Sequence, residues 1–324
     1  MTKAIRIHQP GGPEEMVWEE VAVGDPGPGE ARVRHTAVGL NFIDVYHRTG
    51  LYPLPALPAT IGMEAAGVVE AVGDGVDDLA AGDRIAYAGP PGAYSEARLM
   101  PAKRLVKLPD GIDDRQAAAM MLKGMTAEYL LHRTYPVKAG ETILFHAAAG
   151  GVGTIACQWA KHLGATVIGT VGTREKAEIA AAHGCDHPIV TSETDFVARV
   201  KEITGGAGVP VVYDSVGKDT FDGSLDCLSP FGLLALFGQS SGPVPPFDLG
   251  QLAAMGSLYI TRPTLLTYAA SREDLLATAN ALFEVVQSGA VRIEVNQTYA
   301  LADAAQAHRD LEARKTTGST VLLP

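Results

Sequence analysis

The stretch from Thr142 to Leu163 constrains this chain more than any other. Thr142-Ile143-Leu144-Phe145-His146 is a short apolar run with β-branched content, which suits a buried parallel strand. Ala147-Ala148-Ala149-Gly150-Gly151-Val152-Gly153 follows, made of small residues only. Ile155, Ala156, Trp159, Ala160 and Leu163 then recur three and four apart, the spacing of a helix with one buried face. A helix that opens on a glycine turn after a buried strand aims its unpaired N–H groups and positive dipole end at one spot, and that spot suits phosphate. The dinucleotide fingerprint asks for glycine at three places; Ala148 stands at the first, Gly150 and Gly153 at the others. Glycine turns also serve as plain connections, but the strand before and the helix after favour a dinucleotide here.

The next strand bears on which dinucleotide. Thr166 to Gly172 is followed by Thr173-Arg174-Glu175-Lys176. An NAD site usually ends this strand on Asp or Glu, which holds the ribose hydroxyls. No acid stands between Thr166 and Thr173, and two cations follow at once. A ribose 2′-phosphate is attracted by Lys176 or Arg174, so NADPH is favoured over NADH. The plainer alternative makes both cations solvated residues on the first turn of an ordinary helix.

Around this centre, 324 residues suffice for two domains. The apolar fraction of 47% and charged fraction of 19% describe a globular chain. A formal net charge of −11 without a cationic cluster argues against a nucleic-acid or anionic-membrane surface. Apolar runs are too short to span a bilayer, and Lys3, Arg6 and His8 lead into a strand pattern rather than a secretory segment. Cys157, Cys185 and Cys227 are odd in number and far apart, so a reducing cytoplasm is the expected location.

Residues 1 to about 120 read as β-rich, with strands at Lys3–Ile7, Val17–Val23 and Ala31–Val38 separated by glycine–proline turns. In the third, Ala31, Val33 and Ala37 alternate with Arg32, Arg34 and Thr36, a half-buried antiparallel pattern. Ala117 to Leu131 reads as a long helix. Strand–helix alternation then predicts a doubly wound sheet with strands near Ile143, Val167, Ile189, Val211, Leu234 and Leu258. Ser271 to Ser288 is helical, Val321 to Leu323 is a closing strand, and the tail rejoins the first domain. The expected fold is α/β: a Rossmann domain over 123–262, with a β-rich domain over 1–122 and 263–324.

In an open parallel sheet, ligands lie beyond the carboxyl ends of the strands. Three such ends carry small polar groups: Gly150-Gly151, Asp214-Ser215-Val216-Gly217 and Gly238-Gln239-Ser240-Ser241-Gly242. The last also matches the G-x-S-x-G nucleophile elbow, yet Pro243, Pro245 and Pro246 prevent the helix that elbow needs. His183-Gly184-Cys185-Asp186-His187 suggests metal, but a helix end followed by a strand makes the side chains diverge.

At this point the residues resemble a known family over the full chain. Gly140-Glu141-x-x-Leu144-x-x-x-Ala148-Ala149-Gly150-Gly151-x-Gly153-x-x-x-x-Gln158-x-x-Lys161 is similar to the quinone oxidoreductase (zeta-crystallin) signature of the medium-chain dehydrogenase/reductases. Asn41-Phe42-Ile43-Asp44-x-Tyr46, Gly62-x-Glu64-x-x-Gly67, Gly82-Asp83-Arg84 and Asp214-Ser215-Val216-Gly217 stand where that family carries its other motifs. The resemblance implies a GroES-like catalytic domain beside the Rossmann domain, and a homodimer or larger oligomer. It also implies reduction of a small quinone by NADPH. Zinc-dependent relatives carry His where Met63 stands, a Cys near the Asn41 motif and a four-cysteine lobe; their absence here implies no metal.

Carried over position by position, the resemblance puts Asn41, Thr126 and the Gly238-Gln239-Ser240 loop at the nicotinamide half. Gly172, Lys176 and Arg314 hold the 2′-phosphate, and Gly150, Gly151, Val152, Thr173 and Ser215 complete the cofactor set. Close relatives have tyrosine at Thr191 and arginine at Ser192, so NADPH preference here rests on Lys176 and Arg314. Asn41, Asp44 and Tyr46 form the substrate pocket without a firm acid or base, Tyr46 being an oxyanion donor or simply a wall aromatic. The alternatives are reduction of an activated C=C bond in an enone or alkenal, and a non-enzymatic NADPH-binding role. The strand around Leu258-Tyr259-Ile260 is the expected dimer seam, because edge strands join readily.

Overall fold

A computed structural model describes residues 2–324. The chain divides into two compact units. The first runs to Lys123 and adds Ala269–Phe283 and Ile293–Pro324; the second comprises Gly124–Tyr268 and Glu284–Arg292.

The chain opens in the first unit with β1 (Thr2–Ile7), β2 (Met16–Val21) and β3 (Glu30–Leu40). Helix α1 (Phe42–Thr49) follows, then β4 (Ala59–Thr60), β5 (Glu64–Val72), β6 (Arg84–Ala88), β7 (Ala97–Pro101) and β8 (Val106–Lys107). The long alanine- and methionine-rich pattern forms α2 (Asp114–Tyr129), which ends in a π-turn at Leu130–Thr134. The division between the units falls within α2.

The second unit is one six-stranded parallel sheet. Its strands are β9 (Thr142–Phe145), β10 (Thr166–Val171), β11 (His187–Val190), β12 (Val209–Asp214), β13 (Leu228–Leu236) and β14 (Tyr259–Thr261). Between them run α3 (Gly151–His162), α4 (Arg174–Ala182), α5 (Phe196–Ile203), α6 (Phe221–Asp226) and α7 (Gly250–Ala254), with α8 (Leu265–Tyr268) after the last. The order β11-β10-β9-β12-β13-β14 is that of a doubly wound Rossmann sheet. Leu144, Ile168, Val212 and Leu234, one from each of four neighbouring strands, share a core. Continuous apolar runs make these strands because both faces of the sheet are covered.

The chain then passes through α9 (Arg272–Gln287), and the first unit closes with β15 (Val295–Ala300), α10 (Ala304–Glu312) and β16 (Ser319–Leu323). β16 pairs antiparallel with β3, so the closing strand enters the seven-stranded sheet of the first unit, in the order β15-β16-β3-β5-β6-β8 with β7 also on β3. In β3, Ala31, Val33, His35 and Ala37 point into the core, whereas Arg32, Arg34 and Thr36 face outward. Among the described residues no helix is long and apolar enough to cross a membrane.

Candidate functional site

In the second unit the turn after β9 is built to leave a helix end bare. Gly150 caps α3 in an extended conformation without a side-chain hydrogen bond, so no side chain covers the first-turn N–H groups around Gly151 and Val152. Ala147 takes the left-handed region at φ 54°, and its carbonyl accepts from Gly150 N at 2.8 Å. Ala148 N donates to Thr170 O at 3.0 Å, tying the turn to β10. Gly153 is a glycine for want of space: a Cβ there would lie 2.4 Å from Ala147 O and 2.7 Å from Ala148 Cα. The helix therefore seats directly on the turn, with its amide end projecting past the strand.

The strand order sets the ends of β10, β9, β12 and β13 side by side, which groups Gly172, Gly150, Ser215 and Gly238 along one edge. Gly172 opens on free space, and Thr173 caps α4 by accepting from Lys176 N at 3.3 Å. Ser240 N donates to Ser215 O, and Gly238 lies so close that its Cβ would come 2.6 Å from that oxygen. The next helix begins only at Gly250, which removes the nucleophile elbow.

Beneath this edge runs a polar chain that the sequence reading did not pick out. Asp214 is fully buried; Oδ1 accepts from Val216 N and Gly217 N at 2.7 and 3.0 Å, and Oδ2 from the Thr220 and Ser224 hydroxyls at 2.7 and 2.9 Å. Since Ser224 donates to Asp214, its oxygen receives His146 Nε2–H at 3.0 Å, and His146 Nδ1 accepts from Thr170 Oγ1 at 2.8 Å. Burial lowers the His146 pKa and keeps the ring neutral, as this arrangement needs. The ends of β9, β10 and β12 are thereby tied together. The legible signal was a histidine ending an apolar strand.

Of the remaining candidates, Thr126, buried on α2, and Gln239, in the loop after β13, belong to the second unit, and the others to the first. Arg314 follows α10 in the left-handed region at φ 59°. Asn41 precedes α1, and its N–H donates to Asp44 Oδ2 at 2.9 Å, the return half of a capping box. Its side-chain Nδ2 donates to Glu64 Oε2 at 2.8 Å. Lys123 Nζ reaches the same oxygen at 2.8 Å, and Leu122 N donates to Oε1 at 2.7 Å. Glu64 is wholly buried, and Gly39 leaves room for its carboxylate: a Cβ there would lie 2.4 Å from Oε2. Tyr46 is buried edge-on to Tyr52, with ring centroids 5.0 Å apart, and 5.4 Å from Phe42.

Asp44 also ends a second buried chain. Tyr94 O–H donates to Asp44 Oδ2 at 3.0 Å, His308 Nε2–H to the Tyr94 oxygen at 3.0 Å, and Arg48 Nη1 to His308 Nδ1 at 3.1 Å. Arg48 closes the chain on Glu312 with two bonds of 2.8 Å. Tyr94 and Arg48 carried no role in the sequence reading, and His308 entered only as a possible hydrolase base; nothing in their spacing shows that α1, β6–β7 and α10 converge.

Burial pushes the Asp44 carboxyl up to about 7, against the opposing bond from Asn41 N–H. Burial, helped by the Arg48 charge, lowers His308 to about 3. The signs oppose. Between pH 4 and 7 the folded chain keeps an Asp44 proton that the unfolded chain has released, so this group loses stability as pH rises. Below pH 6.5 the unfolded chain protonates His308 and the folded one does not, so that group loses stability as pH falls. Asp44→Asn should remove the first effect alone. Relative to the parent, thermal unfolding should place the variant roughly 2–3 kcal/mol more favourably at pH 8 than at pH 5. An equal difference at both pH values would refute the raised Asp44.

Zinc does not fit this chain. Met63 is buried where zinc-dependent relatives carry histidine, Cys157, Cys185 and Cys227 all lie in the second unit, and among the described residues no group of three His, Cys, Asp or Glu side chains is placed to hold a metal ion. Cys185 Sγ instead donates to Val167 O, and His183 Nδ1 pairs with Ile179 O.

Two family models match the chain. The family described as alcohol dehydrogenase GroES-like domain matches residues 27–110, and that described as zinc-binding dehydrogenase matches 151–280. A quinone oxidoreductase of Pseudomonas aeruginosa is 57% identical over the whole of both chains. The chain belongs to the zinc-free quinone oxidoreductase family of the medium-chain dehydrogenase/reductases. A 2-haloacrylate reductase of a Burkholderia species is 52% identical, covering 100% of this chain and 99% of its own. The crystal structure of Escherichia coli quinone oxidoreductase complexed with NADPH superposes with a TM-score of 0.98 at 51% identity, over 99% of this chain and 100% of that one.

Proposed function

We propose that the protein is an NADPH:quinone oxidoreductase working without metal. The observation that carries the reading is the bare amide end of α3, seated on Ala147 through Gly153, in a chain 51% identical over nearly its whole length to a quinone oxidoreductase crystallised with NADPH. The residues present fit the cofactor: the α3 amides at Gly151 and Val152 would hold the diphosphate against Gly150, whose own N–H is spent on the Ala147 carbonyl, and Gly172, Thr173 and Lys176 would take the adenosine ribose and its phosphate. Thr126, Ser215, Gly238, Gln239, Ser240 and Arg314 complete the cofactor contacts. When bound, NADPH supplies the hydride equivalent. The protein orients and dries the reaction centre. Asn41, clamped between Asp44 and Glu64, presents a fixed polar edge, and Tyr46 walls the quinone or donates to its developing oxyanion.

The 52% identity to a 2-haloacrylate reductase supports one second reading, reduction of an activated C=C bond. Loss of reduced-nicotinamide absorbance with 1,4-benzoquinone, 9,10-phenanthrenequinone or 2-chloroacrylate separates the two. Quinone turnover well above the acrylate rate is expected; the reverse order would overturn the quinone assignment, and no turnover with any acceptor would leave a non-enzymatic role.

The protein is further proposed to be a cytoplasmic homodimer. Its three cysteines are free and buried, which suits a reducing compartment. β14 is an edge strand, and it exposes Tyr259 by 60% near Phe231, exposed by 72%, whose N–H donates to Gly256 O. Such an edge invites a second copy. Sedimentation at a monomer's mass across micromolar concentrations would refute the pairing.

A further inference from the structure

The corner of the second unit where β10 ends holds a cation that is already partnered. Arg174, the first residue of α4, grips Glu193 with both arms of its guanidinium: Nε to Oε1 at 2.8 Å and Nη2 to Oε2 at 2.9 Å. Glu193 lies on the loop after β11, which is stitched to the end of β10. Thr191 donates to Val171 O through both its N–H and its hydroxyl, and Ser192 Oγ donates to Gly172 O at 3.1 Å. The hydroxyls of Thr191 and Ser192 are thus turned onto the backbone. Arg174 and Glu193 are left facing solvent beyond the end of β10, with side chains 77% and 42% exposed. Next to them is the α4 cap, where Thr173 accepts from Lys176 N.

We propose that Arg174 and Glu193 form an exchangeable pair that sets cofactor selectivity, Arg174 leaving Glu193 to grip the 2′-phosphate of NADPH and Glu193 accepting the free 2′-hydroxyl of NADH. The inference rests on the nucleotide-binding reading above and names two selectivity residues within it. An exposed ion pair in water is weakly held. A phosphate monoester near neutral pH carries close to two charges and three acceptor oxygens, and a guanidinium fork matches it at least as well as a carboxylate. A dianion arriving at Gly172 therefore draws Arg174 across. Displaced, Glu193 is a like charge beside the phosphate, so one carboxylate both holds the arginine back and repels NADPH. Facing the open 2′,3′-diol of NADH, the same carboxylate accepts a hydrogen bond, the usual role of an acid at this strand end.

The test uses the full-length protein and two substitutions on exposed side chains, Arg174→Gln and Glu193→Gln. Folding is checked by thermal unfolding. Dissociation constants for NADPH and NADH are measured by nucleotide fluorescence, and 2′-AMP is titrated against 5′-AMP as a probe of the corner alone. Arg174→Gln should cut the NADPH-over-NADH affinity ratio about tenfold and weaken 2′-AMP with it. Glu193→Gln should raise the ratio several-fold, and its effect should shrink without vanishing when Arg174 is also replaced, because only the hold on the arginine is lost while the direct repulsion of the phosphate and the bond to the NADH hydroxyl remain. Raising salt should weaken NADPH binding more steeply in the parent than in Arg174→Gln. Ratios within twofold of the parent in both variants, with NADPH still bound, would overturn the pair while leaving the enzyme reading intact. Failure of the parent to bind either nucleotide would instead overturn the enzyme reading and the pair with it.

Discussion

Replacing Lys123 by methionine should destabilise the first unit by about 3–5 kcal/mol, the cost of leaving a buried carboxylate without its counter-charge. Glu64 has no exposure to water, Lys123 has 5%, and the two meet at 2.8 Å. What would remain on Glu64 is Asn41 Nδ2 and Leu122 N–H, two neutral donors for a full negative charge. The measurement is denaturant unfolding of the single variants and of Lys123→Met combined with Glu64→Gln. The double variant should recover much of the loss, because a neutral amide no longer needs the ammonium. Losses that simply add would show that the lysine acts through packing. In the single variant the clamp on Asn41 loosens as well, so quinone turnover should fall even where folded protein is recovered.

Gly153→Val should cost the protein its nucleotide. Any Cβ at this position lies 2.4 Å from the Ala147 carbonyl and 2.7 Å from Ala148 Cα, and both are backbone atoms that cannot swing aside. α3 must lift off the turn, at a packing cost of about 1–3 kcal/mol. The amides that face the diphosphate move with it, and a displacement of about 1 Å at such a site weakens function by about 100-fold. Fluorescence titration with NADPH checks this, with Gly172→Ala as the structural comparison. Gly172 faces open space, so its alanine variant should unfold at the parent's temperature. NADPH affinity within a few fold of the parent in Gly153→Val would refute the seating of α3 on the turn.

Gly153 and the Glu64–Lys123 pair differ in how far the sequence alone reveals them. Gly153 sits in a local pattern: a strand, a turn of small residues and a helix are all contiguous, so the chain itself carries the geometry. The six parallel strands were legible for the same reason, since strand–helix alternation repeats within short stretches. Glu64 and Lys123 are 59 residues apart. Each lay inside a stretch with an apparent pattern, but no periodicity connects a carboxylate at the start of β5 to an ammonium on α2. Arg48 and His308 are 260 residues apart and were equally silent.

The sequence by itself determined the Rossmann turn, the alternation that makes the parallel sheet, and the β-rich opening with its half-buried third strand. These depend on residues that are neighbours in the chain. Only the tertiary structure decided which buried polar groups meet: Glu64 with Lys123, Asp214 with His146 through Ser224, and Asp44 with Arg48 through Tyr94 and His308. A charge or hydrogen bond acts over a few ångströms whatever the sequence separation, so its partner is set by how strands and helices close on one another, and chain order does not record that.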